Sequence, residues 1–114
     1  MKMVAEKVYH IISQNLWQDI EKLEYYSPDS LHNEGFIHLC NASQVNSVVK
    51  RYYASLENLV VLEINVYKLK SSIKYEGVGT DGIFPHLYGG LNINAVENVY
   101  PLYKNEKGDV FWNE

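Results

Sequence analysis

Apolar positions along the chain switch between a period of two and a period of three to four residues, and each switch marks an element. Val8-Tyr9-His10-Ile11-Ile12 predicts an opening strand, with Val8, His10 and Ile12 on one face and Tyr9 and Ile11 on the other. Ser13 then offers an N-cap oxygen, and Leu16, Trp17, Ile20 and Leu23 recur at helical spacing, which predicts a helix over 14–23. Ser27-Pro28-Asp29-Ser30 is turn chemistry, and 32–35 reads as a polar connection with His32 in solvent. A short apolar strand follows over 35–40, placing Phe36, His38 and Cys40 on one face. Ser43 opens a second helix, in which Val45, Val48, Val49, Tyr52 and Tyr53 form one stripe and Lys50 and Arg51 fall outside it. The run 59–66 is apolar almost throughout and is expected at the centre of a sheet. Its one charge, Glu63, projects into a cleft or onto a solvated face.

The remainder is β-rich. A short strand over 73–76 leads through a glycine loop at 77–82 into Phe84-Pro85-His86-Leu87-Tyr88-Gly89-Gly90. Another strand lies within 95–103, and the turn at 105–109 sets up a terminal hairpin with 110–112. Helices early and strands late make an α+β chain with two early helices. Its 114 residues are enough for one core, so one domain over 1–114 is expected. No apolar run reaches the roughly 18 residues a membrane helix needs, and the first residues lack the pattern of a signal peptide. With Cys40 the only cysteine, the chain reads as a cytoplasmic protein.

Charge and composition narrow the partners. A net charge of −4 with dispersed cations argues against duplex nucleic acid. Ten tyrosines and a single arginine, Arg51, point to an aromatic pocket poor in phosphate clamps. In the 84–88 segment Phe84, His86 and Tyr88 share a face, and Pro85, having no N–H, places the segment at a sheet edge or a strand entry.

Three histidines in extended segments, His10, His38 and His86, are candidates for one site, since imidazole near neutrality serves as donor, acceptor or proton carrier. His38 and His86 are the candidate catalytic residues, and Phe36 and Tyr88 a stacking surface for substrate. Glu63 and Glu76 are the strand carboxylates placed to orient a histidine or to meet a ribose hydroxyl. No short-spaced ligand pair announces a metal site, so none is assigned. Cys40 reads as a small buried hydrophobe.

Tyr9-His10-Ile11, Gly35-Phe36-Ile37-His38, Leu62-Glu63-Ile64 and Phe84-Pro85-His86-Leu87-Tyr88-Gly89, in this order, resemble the domain-of-unknown-function family 952 across nearly the whole chain. That family is similar in fold to ADP-ribosyltransferases and RNA 2′-phosphotransferases. The resemblance implies a split β-sheet whose cleft holds NAD or an ADP-ribosylated substrate, with His10 placed to touch the nicotinamide ribose. It implies that His38 matches the histidine strand of the phosphotransferases and that Glu76 stands nearest to the glutamate of toxin-like transferases. The phosphate-gripping arginines of the phosphotransferases have no counterpart beyond Arg51. The expectation is a histidine- and tyrosine-lined cleft for an NAD-like or nucleotide-like ligand, with ADP-ribose transfer as its chemistry; the alternative is a non-catalytic binding or interaction module.

Overall fold

The computed structural model describes residues 6–77, 79–80 and 82–112. Of the glycine loop expected at 77–82, positions 78 and 81 lie outside the described residues. The elements run β1 (Lys7–Ser13), α1 (Gln14–Ile20), β2 (Tyr25–Tyr26), α2 (Asp29–Glu34), β3 (Ile37–His38), α3 (Val45–Tyr52), β4 (Leu59–Asn65), β5 (Ser72–Gly77), β6 (Ile83–Tyr88), β7 (Leu91–Asn92), β8 (Val96–Pro101), β9 (Tyr103–Lys104) and β10 (Val110–Phe111). The chain is α+β, with antiparallel sheets and few helices. Two three-stranded sheets, ordered β1-β4-β8 and β3-β6-β5, dominate it, and β2-β7 and β9-β10 form small ribbons.

β4 lies between its neighbours because alternate residues bury on opposite faces. Val60, Leu62 and Ile64 join Val8 and Ile12 of β1 in a core that reaches Ile37 and Leu87 of the other sheet and Ile20 of α1. Leu59 and Val61 join Tyr9, Ile11 and Cys40 in a second core under Val45 and Val49 of α3 and Val110 of β10. Beyond the shared core, the backbones of the two sheets meet among the described residues at one bridge, where the Tyr9 N–H donates to Cys40 O and the Cys40 N–H to Tyr9 O, each at 2.8 Å. Past that bridge β1 and the β3 segment part.

Several expectations change. α1 starts where Ser13 Oγ accepts the Leu16 N–H at 3.0 Å, but it ends at Ile20 and leaves Leu23 exposed, because the chain must turn there to bring β2 alongside β7. A third helix, α2, stands where a turn at 27–30 and a polar connection over 32–35 were expected. It is too short to show a period and ends on Gly35 at φ 90°, a left-handed backbone that glycine adopts without strain. Before α3 the residues Ala42–Gln44 form a 3-10 turn, with Gln44 Oε1 accepting the Asn41 N–H at 2.8 Å.

Pro85 does not mark an edge, since β6 is the middle strand of its sheet. Its carbonyl accepts the Leu39 N–H at 3.1 Å, so its N–H-less side also faces β3, beyond that two-residue strand, and the ladder to β5 stays whole. Gly89 is required by close approach, because a Cβ there would sit 2.1 Å from Ser71 Oγ.

Candidate functional site

Where β1 and the β3 segment part there is a cavity of about 660 Å³. Its walls include His10 from β1, Tyr26 from β2, His38 from β3, Tyr52 and Tyr53 at the end of α3, and Phe84 from β6. Local sequence accounts for this. The alternation of β1 turns His10 to the same side as Val8 and Ile12 at a point where the strand has lost its second neighbour, and α3 delivers two adjacent tyrosines as it ends.

His10 Nδ1 donates to His38 O at 2.8 Å, since a carbonyl only accepts. Burial lowers the His10 pKa to about 4 against the raising effect of that bond. The ring is therefore neutral near pH 7 and presents Nε2 as a lone pair. Cys40 also lines the cavity, but burial pushes its thiol up to about 12, so it is no nucleophile.

His38 links this cavity to a cluster on the outer face of the β3-β6-β5 sheet. Its Nε2–H donates to Glu34 Oε2 at 2.9 Å, with both side chains about half exposed. Directly across the ladder stands His86, ring centres 5.3 Å apart. Phe36 lies flat on His86, 4.0 Å between centroids with planes at 11°, and edge-on to His38 at 4.9 Å. His86 Nδ1 donates to Glu76 Oε1 at 2.8 Å, and Tyr88 Oη donates to the same oxygen at 2.5 Å. The Tyr88 and then the His86 bond hold the Glu76 carboxyl below its usual range, and Glu76 in turn raises the Tyr88 phenol. The buried His86 Nε2 has no hydrogen-bond partner among the described residues. Lys74 Nζ sits 4.8 Å above the Tyr88 ring.

The structure thus gathers Phe36, His38, Glu76, His86 and Tyr88 on one sheet face and ties His10 to His38 from the cavity side. His86, Tyr88, Phe36 and Glu76 are not part of the cavity wall. Glu63 belongs to neither place. It is 2% exposed, accepting from Asn98 Nδ2 at 2.7 Å, from Lys7 Nζ at 3.0 Å, and from the Tyr9 and Tyr100 hydroxyls at 3.4 Å each. The expectation of a cleft or a solvated face fails because β8 covers the β4 edge and supplies Asn98 opposite Glu63. His32 is in solvent as expected. Among the described residues, no three His, Cys, Asp or Glu side chains are arranged to hold a metal. No described helix is long and apolar enough to cross a membrane.

Sequence reasoning missed Glu34, Tyr26 and Tyr53 as site residues; of the face shared by Phe84, His86 and Tyr88, only Phe84 lines the cavity. The Glu34 to His38 spacing of four was visible, but the chain between them leaves the helix at Gly35, so helical spacing was no guide.

The fold defines an α+β protein with a cavity at the parting of two antiparallel sheets. The chain belongs to the family described as "Protein of unknown function (DUF952)", which matches residues 11–99. It is similar to the crystal structure of protein CC0527 from Caulobacter crescentus, at 26% identity and a TM-score of 0.79, over 92% of this chain and 93% of that chain. The solution NMR structure of CC0527 is similar at 27% identity and a TM-score of 0.75, over 92% and 91% of the two chains. No curated protein matches the chain.

Proposed function

We propose that the cavity binds an NAD-like or nucleotide-like ligand by its ribosyl end, on the plan of the ADP-ribosyltransferase-like split sheet, with ADP-ribose transfer as its chemistry. The observation that carries this reading is the His10 Nδ1 to His38 O bond inside the tyrosine-rich cavity. It makes His10 a neutral acceptor, suited to a ligand hydroxyl and not to an anion. Tyr26, Tyr53 and Phe84 supply faces for a nucleobase or nicotinamide ring. The Tyr9 N–H and C=O point away from β4 to meet Cys40, so by ladder alternation those of Ile11 also face the open edge, a donor and acceptor pair matched to a carboxamide.

In the transfer step the incoming nucleophile bonds to the ribose C1′ of NAD as the C1′–N bond to nicotinamide breaks and nicotinamide leaves as the neutral amide, and His38 takes the proton that the nucleophile gives up. Glu34 takes the Nε2–H bond and leaves Nδ1 with its lone pair when the ring is neutral. The Glu76 carboxylate favours a second reading, binding without transfer, because its oxygen is already taken by His86 and Tyr88 and it does not line the cavity.

Calorimetry with NAD and with ADP-ribose tests the binding. His10→Ala should weaken either ligand by about tenfold or more, the loss expected for a buried hydrogen bond without a partner. Chromatographic assay of NAD consumption separates the two readings. Turnover lost in His38→Ala supports transfer, and binding without turnover leaves the non-catalytic module. Absence of binding by both ligands would sink the cavity assignment.

A further inference from the structure

Resting on that reading, we infer that the recess beside the cavity, lined by Ser47, Arg51 and Thr80, is an anion subsite that takes a phosphate of the ligand whose ribosyl end occupies the cavity. The recess, about 130 Å³, shares Val48, Tyr52 and Phe84 with the cavity, so a ligand crossing that wall passes directly from one to the other. Among the described residues, no lysine or arginine lines the cavity itself. A phosphorylated ligand held there must find its countercharge outside, and the chain's single arginine stands across the shared wall.

The placement follows from helix geometry. Ser47 and Arg51 are four apart on α3, as are Val48 and Tyr52, so two neighbouring stripes of one helix build the recess and its wall. Gln44 Nε2 donates to Ile83 O at 2.7 Å and ties the base of that helix to β6 next to Phe84, which holds the wall in place. Ser47 Oγ donates to Gln44 O at 3.0 Å, which leaves the hydroxyl its acceptor role and gives donation to the anion to the guanidinium. Five N–H donors in a planar fork allow Arg51 to grip a phosphate while keeping a contact of its own. Two other cations of this region are directed elsewhere, Lys50 to Asp109 at 3.3 Å and Lys104 to the carbonyls of Tyr53, Ala54 and Leu56.

Nicotinamide riboside and nicotinamide mononucleotide differ by one phosphate and separate the subsite from the cavity. In calorimetry at low salt the mononucleotide should bind about tenfold tighter, the scale of a charge-assisted hydrogen bond. That difference should close in Arg51→Ala and Arg51→Gln, and shrink as salt is raised. In parallel, pyrophosphate alone should shift the Arg51 Nε–H NMR resonance saturably. A difference that is absent from the wild type, or that survives both Arg51 variants, overturns the subsite while riboside binding keeps the cavity reading alive. Failure of both nicotinamide compounds with a saturable pyrophosphate shift sinks the cavity reading and supports the recess; no shift as well overturns both. Thermal unfolding of the variants serves as the control, since a loss of stability with the affinity difference intact also overturns the subsite.

Discussion

Glu63 and Glu76 are both strand glutamates that bind a tyrosine hydroxyl and a nitrogen donor, and they belong to different kinds of chemistry. Glu63, in the β1-β4-β8 sheet, is sealed under Lys7, Tyr9, Asn98 and Tyr100. Burial pushes its carboxyl up, but the bonds from Asn98 and Lys7 and the Lys7 charge outweigh this and hold it below the usual range. Glu76, in the β3-β6-β5 sheet, keeps 39% of its side chain exposed and orients His86, whose far nitrogen is buried under Phe36 without a partner among the described residues. A saturated, sealed network is what a fold uses to hold strands together. An open carboxylate behind an unsatisfied imidazole is stability left unrealised.

The contrast is sharpest at Glu63. Glu63→Ala should cost about 3 kcal/mol in urea unfolding, because it strands buried donors of Tyr9 and Asn98. A cost below about 1 kcal/mol would mean that the network is not structural, by the same desolvation argument. Because the folded pKa is depressed, this stabilisation is present above the ordinary value of 4.5 and fades as the pH falls through the lower folded value.

His10 gives the next largest effect, in a different window. Above pH 6.5 its ring is neutral in both states and contributes nothing. Between 6.5 and about 4 the unfolded chain binds a proton that the folded chain does not, so stability falls as the pH falls. The slope reaches at most about 1.4 kcal/mol per pH unit. Unfolding curves of His10→Asn between pH 7 and pH 5 should lose this slope, and an unchanged slope would place the ring in ordinary solvent.

The smallest change is expected at His86. His86→Phe removes the orphaned Nε2 and keeps a flat ring under Phe36, while the half-exposed Glu76 regains water, so stability should stay within about 1 kcal/mol of the wild type. A penalty as large as that of Glu63→Ala would show both sheets to be built alike.

The strands β1, β4 and β8, the Ser13 cap and the valine part of the α3 stripe were legible in the chain because each is written in local periodicity, although Tyr52 of that stripe is exposed. So was the shared face of His86 and Tyr88, by alternation alone. The helix at Asp29–Glu34 was not legible, because two turns are too few to display a period. Nor was the central position of β6, since Pro85 argues for an edge unless it is known that β3 stops short of it.

The sequence by itself determined the α+β class, the scarcity of arginine and the set of histidines and tyrosines from which a site had to be made. Only the tertiary structure decided which of them meet. Pairing of β8 against β4 closed Glu63 into the fold, pairing of β3 against β6 set His38 beside His86, and a single bridge at Tyr9 and Cys40 left β1 open, with His10 facing a cavity. The reason is physical. Periodicity records which face a side chain takes on its own element, whereas a site depends on which edges are left unpaired, and that is set by partners tens of residues away.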